Sequence, residues 1–176
     1  MSNIEIRALD AAPETLAALT DILVETVAAG ASVTFMHPLD PQTAAAFWLG
    51  SLGAAARGER IVLGALAGEA LVGTVSLLLD CPQNQPHRAE IAKMMTRPSH
   101  RGRGVATALL RHAEALALER RRTLLTLDTA EEDGAAAFYE KLGYTHAGTI
   151  PDYAFKPHGG LTGAMIYWKR VGAANG

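Results

Sequence analysis

A strand, a glycine-containing loop and a helix follow one another directly between residues 89 and 120, and this unit constrains the fold most strongly. The run AEIAKMMT, from Ala89 to Thr96, is short and mostly apolar, which predicts a strand. The helix predicted from Val105 to about Arg120 has an apolar stripe at positions 109, 113, 116 and 117. The residues RGRGVA, at 101–106, join the two. Glycines between a strand and a helix are typical of α/β sheets that bind a ligand at this junction.

The composition of this loop suits an anion such as a phosphate. The start of a helix has unpaired backbone N–H groups and a partial positive charge. Gly102 and Gly104 allow the backbone to approach an anion without a Cβ in the way. Arg101 and Arg103 add positive charge and forked hydrogen-bond donors. A solvated turn without a ligand is the alternative, and the loop by itself does not decide between the two.

The residues after the second glycine argue against two common kinds of phosphate loop. A Walker A loop needs a Lys and a Ser or Thr there, whereas this chain has Val105 and Ala106. A dinucleotide-binding fingerprint needs a third glycine at position 107, which is Thr107. The loop therefore indicates neither a nucleotide hydrolase nor a dehydrogenase of the Rossmann type.

The remaining elements predict a mixed α/β (α+β) sheet in a single domain spanning residues 1–176. Apolar alternation and apolar stripes indicate the order β-α-α-β-β-β-α-β-α-β-β. The predicted strands are 4–9, 60–66, 70–79, 89–96, 124–129, 144–151 and 163–171, and the predicted helices are 13–28, 42–56, 105–120 and 133–142. Gly68 and Glu69 supply a hairpin turn, and the nearly all-apolar run 70–79 is expected inside the sheet.

Composition excludes several classes of protein. With 49% hydrophobic and 19% charged residues, the chain has material for a sizeable core and does not resemble a disordered protein. A net charge of -2 argues against nucleic-acid or membrane binding driven by overall charge. The start lacks the pattern of a signal peptide, no run is long enough for a membrane span, and Cys81 has no partner for a disulfide. These features predict a cytoplasmic protein. The six histidines lack metal-ligand spacing, so no metal is expected.

Two segments resemble a known family. Arg101-x-x-Gly104-x-Ala106 resembles motif A of the GNAT superfamily of acetyl-CoA-dependent N-acetyltransferases, which reads Gln/Arg-x-x-Gly-x-Gly/Ala. The run AAAFYEKLGYTHAGTI, at 135–150, resembles motif B, in which a helix ending in Tyr-x-x-x-Gly-Phe/Tyr precedes a strand. The resemblance extends over about residues 4–170 and is most specific at 87–150. It implies the GNAT fold, a twisted, mostly antiparallel mixed sheet with a central strand–loop–helix unit that binds acetyl-CoA.

The resemblance implies an N-acetyltransferase that moves the acetyl group of acetyl-CoA directly to an amine, or a hydroxyl, of a small molecule. The residues implied to bind the coenzyme are Arg101, Gly102, Arg103, Gly104, Val105, Ala106 and Thr107 around the pyrophosphate and Lys93, Met94 and Met95 along the pantetheine arm. Two alternatives stay open. The chain could bind an acyl-CoA without transferring the acyl group, or the loop could hold another phosphate ligand such as a nucleotide.

The C-terminal segment 127–171 is similar to the tabtoxin resistance proteins and their relatives, and the parts GTIPDYA and GGLTGAMIYWK, within 148–169, carry most of this similarity. An amino acid, an amine antibiotic and a β-lactam toxin are candidates for the acceptor. The acceptor itself is left open, and polyamines and protein N-termini are further candidates. Paired terminal strands are often used for homodimers in the superfamily, so the resemblance also implies a possible homodimer.

Three residues are candidates for proton transfer. The motif B resemblance places Tyr139 at the coenzyme sulfur as a general acid, whereas a core tyrosine is the alternative. Glu90 lies on the strand before the loop, and Asp128 ends the predicted strand LLTLD, where ligands of α/β sheets are often bound. Either carboxylate could accept the amine proton. A solvent-facing position for Glu90 and a turn or cap role for Asp128 are the alternatives.

The first loop and second helix often contribute to the acceptor pocket in the superfamily, which makes Phe35, Met36, His37 and Trp48 candidates for the acceptor site. Ordinary packing is the favoured alternative for these side chains. One departure from motif B concerns Glu132, which occupies the position where the family often has an asparagine.

Overall fold

The computed structural model describes residues 4–172. Its strands are β1 (Ile4–Ala8), β2 (Arg60–Ala67), β3 (Ala70–Leu78), β4 (Arg88–Thr96), β5 (Leu124–Ala130), β6 (Thr145–Phe155) and β7 (Leu161–Arg170). Its α-helices are α1 (Pro13–Ala28), α2 (Pro41–Ala56), α3 (Val105–Glu119) and α4 (Ala136–Lys141). This order confirms the predicted fold class, a mixed α/β sheet in the order β-α-α-β-β-β-α-β-α-β-β.

The sheet has seven strands in the order β1-β2-β3-β4-β5-β7-β6. Neighbouring strands are antiparallel except for β4 and β5, which are parallel. Strand β3 lies between β2 and β4, and its residues 71–77 are all buried. The nearly all-apolar run was therefore predicted correctly to lie inside the sheet, because a strand covered on both faces excludes water from both sets of side chains.

Helices cover both faces of this sheet. Helices α1 and α2 pack on one face, where Leu19 and Trp48 share one hydrophobic cluster with Val62 of β2. Helix α3 packs on the other face, where Leu109 shares a second cluster with Leu63, the next residue of β2. The change of face between adjacent strand residues follows from the two-residue period of a strand.

Local sequence explains where α1 and α2 begin. Pro13 and Pro41 occupy the first turn of their helices, where a missing N–H costs nothing. The carboxylate of Asp40 accepts a hydrogen bond from the backbone N–H of Thr43 at 3.0 Å and caps α2.

The C-terminal hairpin is longer than predicted. Strands β6 and β7 stay paired as far as Phe155 and Leu161, so most of the expected 152–162 loop is strand. The pairing passes Pro151 through an irregularity between Ile150 and Ala154, and β6 is an edge strand where a proline at a bulge is tolerated. A short turn at 156–160 remains, closed by the Lys156 N–H, which donates to the Gly160 carbonyl at 2.8 Å.

Helix α4 is shorter than predicted, because residues 133–135 belong to the loop before it. Strand β5 continues two residues beyond Asp128 to Ala130, since its pairing with β7 extends to Ala164. Asp128 therefore lies within the strand and not at its end. No helix in the part of the chain that the structure describes is long and apolar enough to cross a membrane.

Candidate active site

The parallel strands β4 and β5 separate partway along their length. Their register covers only the pairs of Arg88 with Leu124, Ala89 with Leu125 and Glu90 with Thr126. Beyond the last pair, β4 continues to Thr96 and β5 to Ala130 without pairing to each other. The separation opens a cleft of about 960 Å³ that both strands line. Unpaired backbone groups of two central strands are thereby available to a ligand.

A bulge in β4 turns this strand away from β5. Thr74 of β3 pairs with Met95, whereas Ser76 pairs with Ala92, so one residue of β3 faces two of β4. Lys93 sits in this bulge with φ +52°, in the left-handed region that side chains other than glycine rarely adopt. Strain of this kind is often found at ligand sites. Lys93, Met94 and Met95 all line the cleft, as expected for residues along a coenzyme arm.

The glycine loop forms the other end of the cleft. Gly102 and Gly104 have φ of +72° and +80°, which explains the need for glycine at both positions. The backbone N–H groups of 102–107 donate no hydrogen bond to another backbone group of the described chain. A smaller adjoining cavity of about 200 Å³ is lined by Arg101, Gly102, Gly104, Val105, Ala106 and Thr107, among others. Free donors at a helix start, next to a cavity, form an anion site.

Arg103 differs from its neighbours in the loop. Its exposed side chain lines neither the cleft nor the smaller cavity, whereas Arg101 lines both. Of the two arginines that the sequence analysis singled out, the structure brings only Arg101 to the cavities.

Tyr139 lies in α4 and lines the cleft. Its side chain is 6% exposed and packs against the rings of Phe138, Tyr144 and Tyr167, with centroids 5.0, 5.7 and 6.0 Å away. Burial, with a smaller contribution from the negative charge of Asp128, raises the pKa of Tyr139 to about 12. The hydroxyl therefore keeps its proton at neutral pH and has a proton to donate.

Both candidate carboxylates line the same cleft. Glu90 is 38% exposed and pairs with Arg88 at 3.6 Å between Oε2 and Nη1. Asp128 is exposed, and no Lys, Arg or His nitrogen within residues 4–172 lies within 4.0 Å of its carboxylate. Asp128 is nevertheless close enough to act on the pKa of both Tyr139 and Lys93. The two carboxylates thus have different surroundings within one cleft.

The side chain of Lys93 is largely buried between the cleft and α2. Its Nζ lies 5.5 Å from the ring centroid of Phe47, a cation–π distance. Burial lowers the pKa of Lys93, and the charges of Asp128 and Glu90 partly oppose that shift.

The candidates for the acceptor pocket separate into three groups. Phe35 lines the cleft, as expected. His37 is exposed and outside the lining, where its ring contacts that of His158 with 4.4 Å between centroids and 47° between planes. Trp48 is fully buried in the core on the inner side of α2 and lies outside the cleft lining. Met36 is 49% exposed and also lies outside the lining.

Glu132 also lies outside the cleft lining. Its carboxylate forms an ion pair with Lys156, with 2.7 Å between Oε2 and Nζ. The Glu132 side chain thus links the loop before α4 to the turn of the β6–β7 hairpin through this ion pair, and it does not face the cleft.

The sequence analysis missed two aromatic residues of the cleft, Tyr153 and Phe155. Both were assigned to a loop, whereas they lie two residues apart on β6 and are 58% and 64% exposed. Their spacing was a usable signal, because residues at i and i+2 of a strand share a face. Pro151 hid this signal by suggesting that the strand ends there. Within the described range 4–172, no three His, Cys, Asp or Glu side chains are placed to hold a metal ion.

Comparison with known proteins shows which family this chain represents. The chain belongs to the acetyltransferase (GNAT) family, whose model matches residues 17–144. It is 35% identical over 95 residues to the uncharacterized N-acetyltransferase YedL of Escherichia coli (strain K12). This match covers 52% of the chain and 57% of YedL, so the chain spans little more than half the length of that relative.

Solved structures share the fold at low sequence identity. An N-acetyltransferase from Staphylococcus aureus Mu50 has a TM-score of 0.80 at 19% identity, with 97% of this chain and 100% of that chain covered. YncA from Salmonella typhimurium, a putative acetyltransferase solved with its cofactor acetyl-CoA, has a TM-score of 0.78 at 17% identity. That match covers 98% of this chain and 96% of YncA.

Proposed function

We propose that this chain is an acetyl-CoA-dependent N-acetyltransferase that acts on a small-molecule amine. One observation carries the proposal: β4 and β5 separate into a cleft with an anion site at one end and a protonated, buried tyrosine beside two carboxylates on its walls. Membership of the acetyltransferase (GNAT) family supports the reaction class.

The coenzyme would be held by backbone groups. The free N–H groups of 102–107 and the guanidinium of Arg101 suit the pyrophosphate. The bulge at Lys93 and the unpaired edge of β4 suit a pantetheine arm lying between the two strands. No metal enters this proposal.

The chemistry requires the acceptor nitrogen to lose two protons and the sulfur to gain one. The acceptor ammonium first loses a proton to a carboxylate, and its nitrogen attacks the thioester carbon. As the C–S bond breaks, the leaving thiolate takes the proton of the Tyr139 hydroxyl, and the resulting tyrosinate takes the remaining excess proton from the nitrogen, which leaves a neutral amide. The carboxylate then releases its proton to solvent. Asp128 acts electrostatically on Tyr139, so we assign Asp128 to keeping that hydroxyl protonated and Glu90 to accepting the amine proton.

The finer features of the proposal rest on resemblance. Similarity of residues 148–169 to the tabtoxin resistance proteins supports an acceptor such as an amino acid, an amine antibiotic or a β-lactam toxin. The edge position of β6 is compatible with a homodimer formed through the terminal strands. We further propose that the protein acts in the cytoplasm on small molecules, without nucleic-acid or membrane partners.

Calorimetric titration of acetyl-CoA into the wild type and Ala106→Glu tests the coenzyme site. Ala106 lies in the first turn of α3 and lines both cavities. A glutamate there repels a phosphate, and the helix itself tolerates an acidic residue in its first turn. We expect micromolar binding by the wild type and at least about a hundredfold weaker binding by the variant.

Ala115→Glu is the matched control, because Ala115 is an exposed residue of the same helix that lines neither cavity. Its affinity should equal that of the wild type. No binding of acetyl-CoA to the wild type, or equal loss in both variants, would refute the proposed site. Binding without release of CoA in the presence of any amine would instead identify a module that binds acyl-CoA without transferring the acyl group.

A further inference from the structure

Three segments beside the cleft are bonded to one another, and two of them, 28–37 and 131–135, contribute residues to its lining. The first tie joins the end of α1 and the loop after it to the turn of the β6–β7 hairpin. The His37 N–H donates to the Pro157 carbonyl at 2.9 Å, and Nε2 of His158 lies 3.0 Å from the Ala28 carbonyl oxygen. The rings of His37 and His158 also contact each other, with 4.4 Å between centroids and 47° between planes.

The loop before α4 completes the cover. The Ser32 N–H donates to Oδ2 of Asp133 at 3.2 Å, which ties this loop to the segment after α1. Lys156 donates from Nζ to Oε2 of Glu132 at 2.7 Å, which ties it to the hairpin turn. Each of the three segments, 28–37, 131–135 and 156–160, is therefore bonded to the other two. We call these segments the cover.

The cover has a consequence for the size of the acceptor. A peptide lying across the cleft would need the segment after α1 and the hairpin turn to stand apart, as the walls of an open groove. Here the two segments are joined by two hydrogen bonds and a tilted contact between two histidine rings. None of the cover residues lines the smaller cavity at the glycine loop, so the coenzyme end is left clear.

The side chains beneath the cover have a particular chemistry. Phe35, Tyr153 and Phe155 contribute aromatic surface to the cleft lining. Glu90, Asp128 and Asp133 contribute negative charge. The Lys93 ammonium lies 5.5 Å from the centroid of the Phe47 ring, and the Arg101 guanidinium lies at the end of the cleft formed by the glycine loop. Aromatic faces and carboxylates together favour a cation that carries an apolar body.

We infer that the acceptor is a compact primary amine with an apolar or aromatic body and no carboxylate, and that peptides are excluded by the cover. This inference rests on the proposed acetyl transfer, and among the proposed acceptors it favours amines without a carboxylate over free amino acids. It narrows the acceptor by size, because the three segments of the cover are bonded to one another. It narrows the acceptor by charge, because three carboxylates of the described residues line the cleft, whereas its two cationic groups are the Lys93 ammonium near the Phe47 ring and the Arg101 guanidinium at the glycine loop.

Three probes with the same aromatic group test this inference: phenylalaninamide, phenylalanine and an octapeptide that begins with phenylalanine. Each is titrated calorimetrically into CoA-saturated protein, and each is assayed for CoA release from acetyl-CoA. We expect kcat/KM for phenylalaninamide to exceed that for phenylalanine about tenfold, because the added carboxylate meets like charge. The octapeptide should be at least about a hundredfold poorer than the amide.

Variants separate the roles of the cover and the lining. Lys156→Ala combined with His158→Ala removes two of the ties and should raise turnover of the octapeptide about tenfold or more. His112→Ala is the control, since His112 is exposed on α3 and lines neither cavity.

Tyr153→Ala should raise KM for the amide about tenfold, whereas Ile150→Ala, on the same strand but outside the lining, should not.

Equal turnover of octapeptide and amide by the wild type would overturn the inference, as would a preference for phenylalanine over its amide. Acetylation of only polar amines such as spermidine would also overturn it, while leaving the proposed reaction intact. Binding of phenylalaninamide to CoA-saturated protein without any CoA release would have the opposite meaning: the acceptor class would stand and the proposed acetyl transfer would fail.

Discussion

Tyr139 illustrates how burial can give a common side chain a chemical role. Its ring is 6% exposed, and burial together with the charge of Asp128 raises its pKa to about 12. The identity of the residue and its position in motif B were visible in the sequence. The burial and the charge beside it come from α4 and β5, which are brought together only in the fold.

Replacing Tyr139 with phenylalanine should remove the general acid. We expect kcat to fall about 10²- to 10⁴-fold, with little change in KM for acetyl-CoA. Steady-state kinetics of CoA release measures both quantities. Tyr144→Phe is the control, because Tyr144 is a neighbouring buried tyrosine outside the cleft lining. An unchanged kcat in Tyr139→Phe would remove this residue from the mechanism.

The two carboxylates should respond differently to replacement by amides. If Glu90 accepts the amine proton, Glu90→Gln should lower kcat/KM about 10²- to 10⁴-fold. Asp128→Asn should lower kcat/KM less and should lower the pKa of Tyr139, since the charge of Asp128 contributes to raising it. Steady-state kinetics of CoA release by both variants decides the assignment. A larger loss in Asp128→Asn than in Glu90→Gln would exchange the two roles.

The strands and helices hold the site through close packing as well as through the loops. Gly73 of β3 lies against the β4 bulge and the start of α3. A Cβ at this position would stand 2.9 Å from the Met95 carbonyl oxygen and 2.9 Å from Cγ1 of Val105. The backbone of β4 and the start of α3 therefore leave no room for a side chain at position 73. This position lies where the cleft and the glycine loop meet.

Gly73→Ala should destabilise the fold by about 1–3 kcal/mol through overpacking and should also weaken acetyl-CoA binding. Gly50→Ala is the matched control: Gly50 is an exposed residue of α2, and a Cβ added there would meet no other atom within 4 Å. That substitution should stabilise the protein by about 0.5–1 kcal/mol, since alanine favours a helix. Urea denaturation and calorimetry give both values, and equal stability of the two variants would contradict the packing argument.

At the scale of the whole molecule, three tyrosines, Tyr139, Tyr144 and Tyr167, are buried in the hydrophobic cluster on the α3 side of the sheet. Burial raises the pKa of Tyr144 as well as that of Tyr139, and Glu114 adds to the shift of Tyr144. In an unfolded chain both hydroxyls titrate near pH 10. The folded state therefore holds these protons more tightly than the unfolded state.

This difference makes the fold sensitive to alkali. The stabilisation from Tyr139 is fully present below pH 10 and is lost as the pH rises toward about 12, which is about 2–3 kcal/mol for this group alone. Denaturation curves at pH 9.5, 10.5 and 11.5 should show the decline, and Tyr139→Phe should reduce it. Tyr153→Phe, at a ring 58% exposed, is the control. If the free energy of unfolding declined equally with pH in the wild type and in Tyr139→Phe, the raised pKa of Tyr139 would be contradicted.

The sequence by itself determined the order of the elements, the glycine loop and the family resemblance. The spacing of apolar residues and the positions of proline and glycine affect only a few neighbouring residues. Helices, strands and turns can therefore be predicted from them without knowledge of the fold. Only the tertiary structure decided that Trp48 belongs to the core, that Tyr153 and Phe155 reach the cleft, and that three distant loops form a cover. Each of those outcomes depends on which segments meet across the sheet. Strands β6 and β7 stay paired beyond Pro151, and strands β4 and β5 stop pairing after Glu90. These two features determine which segments meet. Each depends on two strands together, so neither can be predicted from one strand alone.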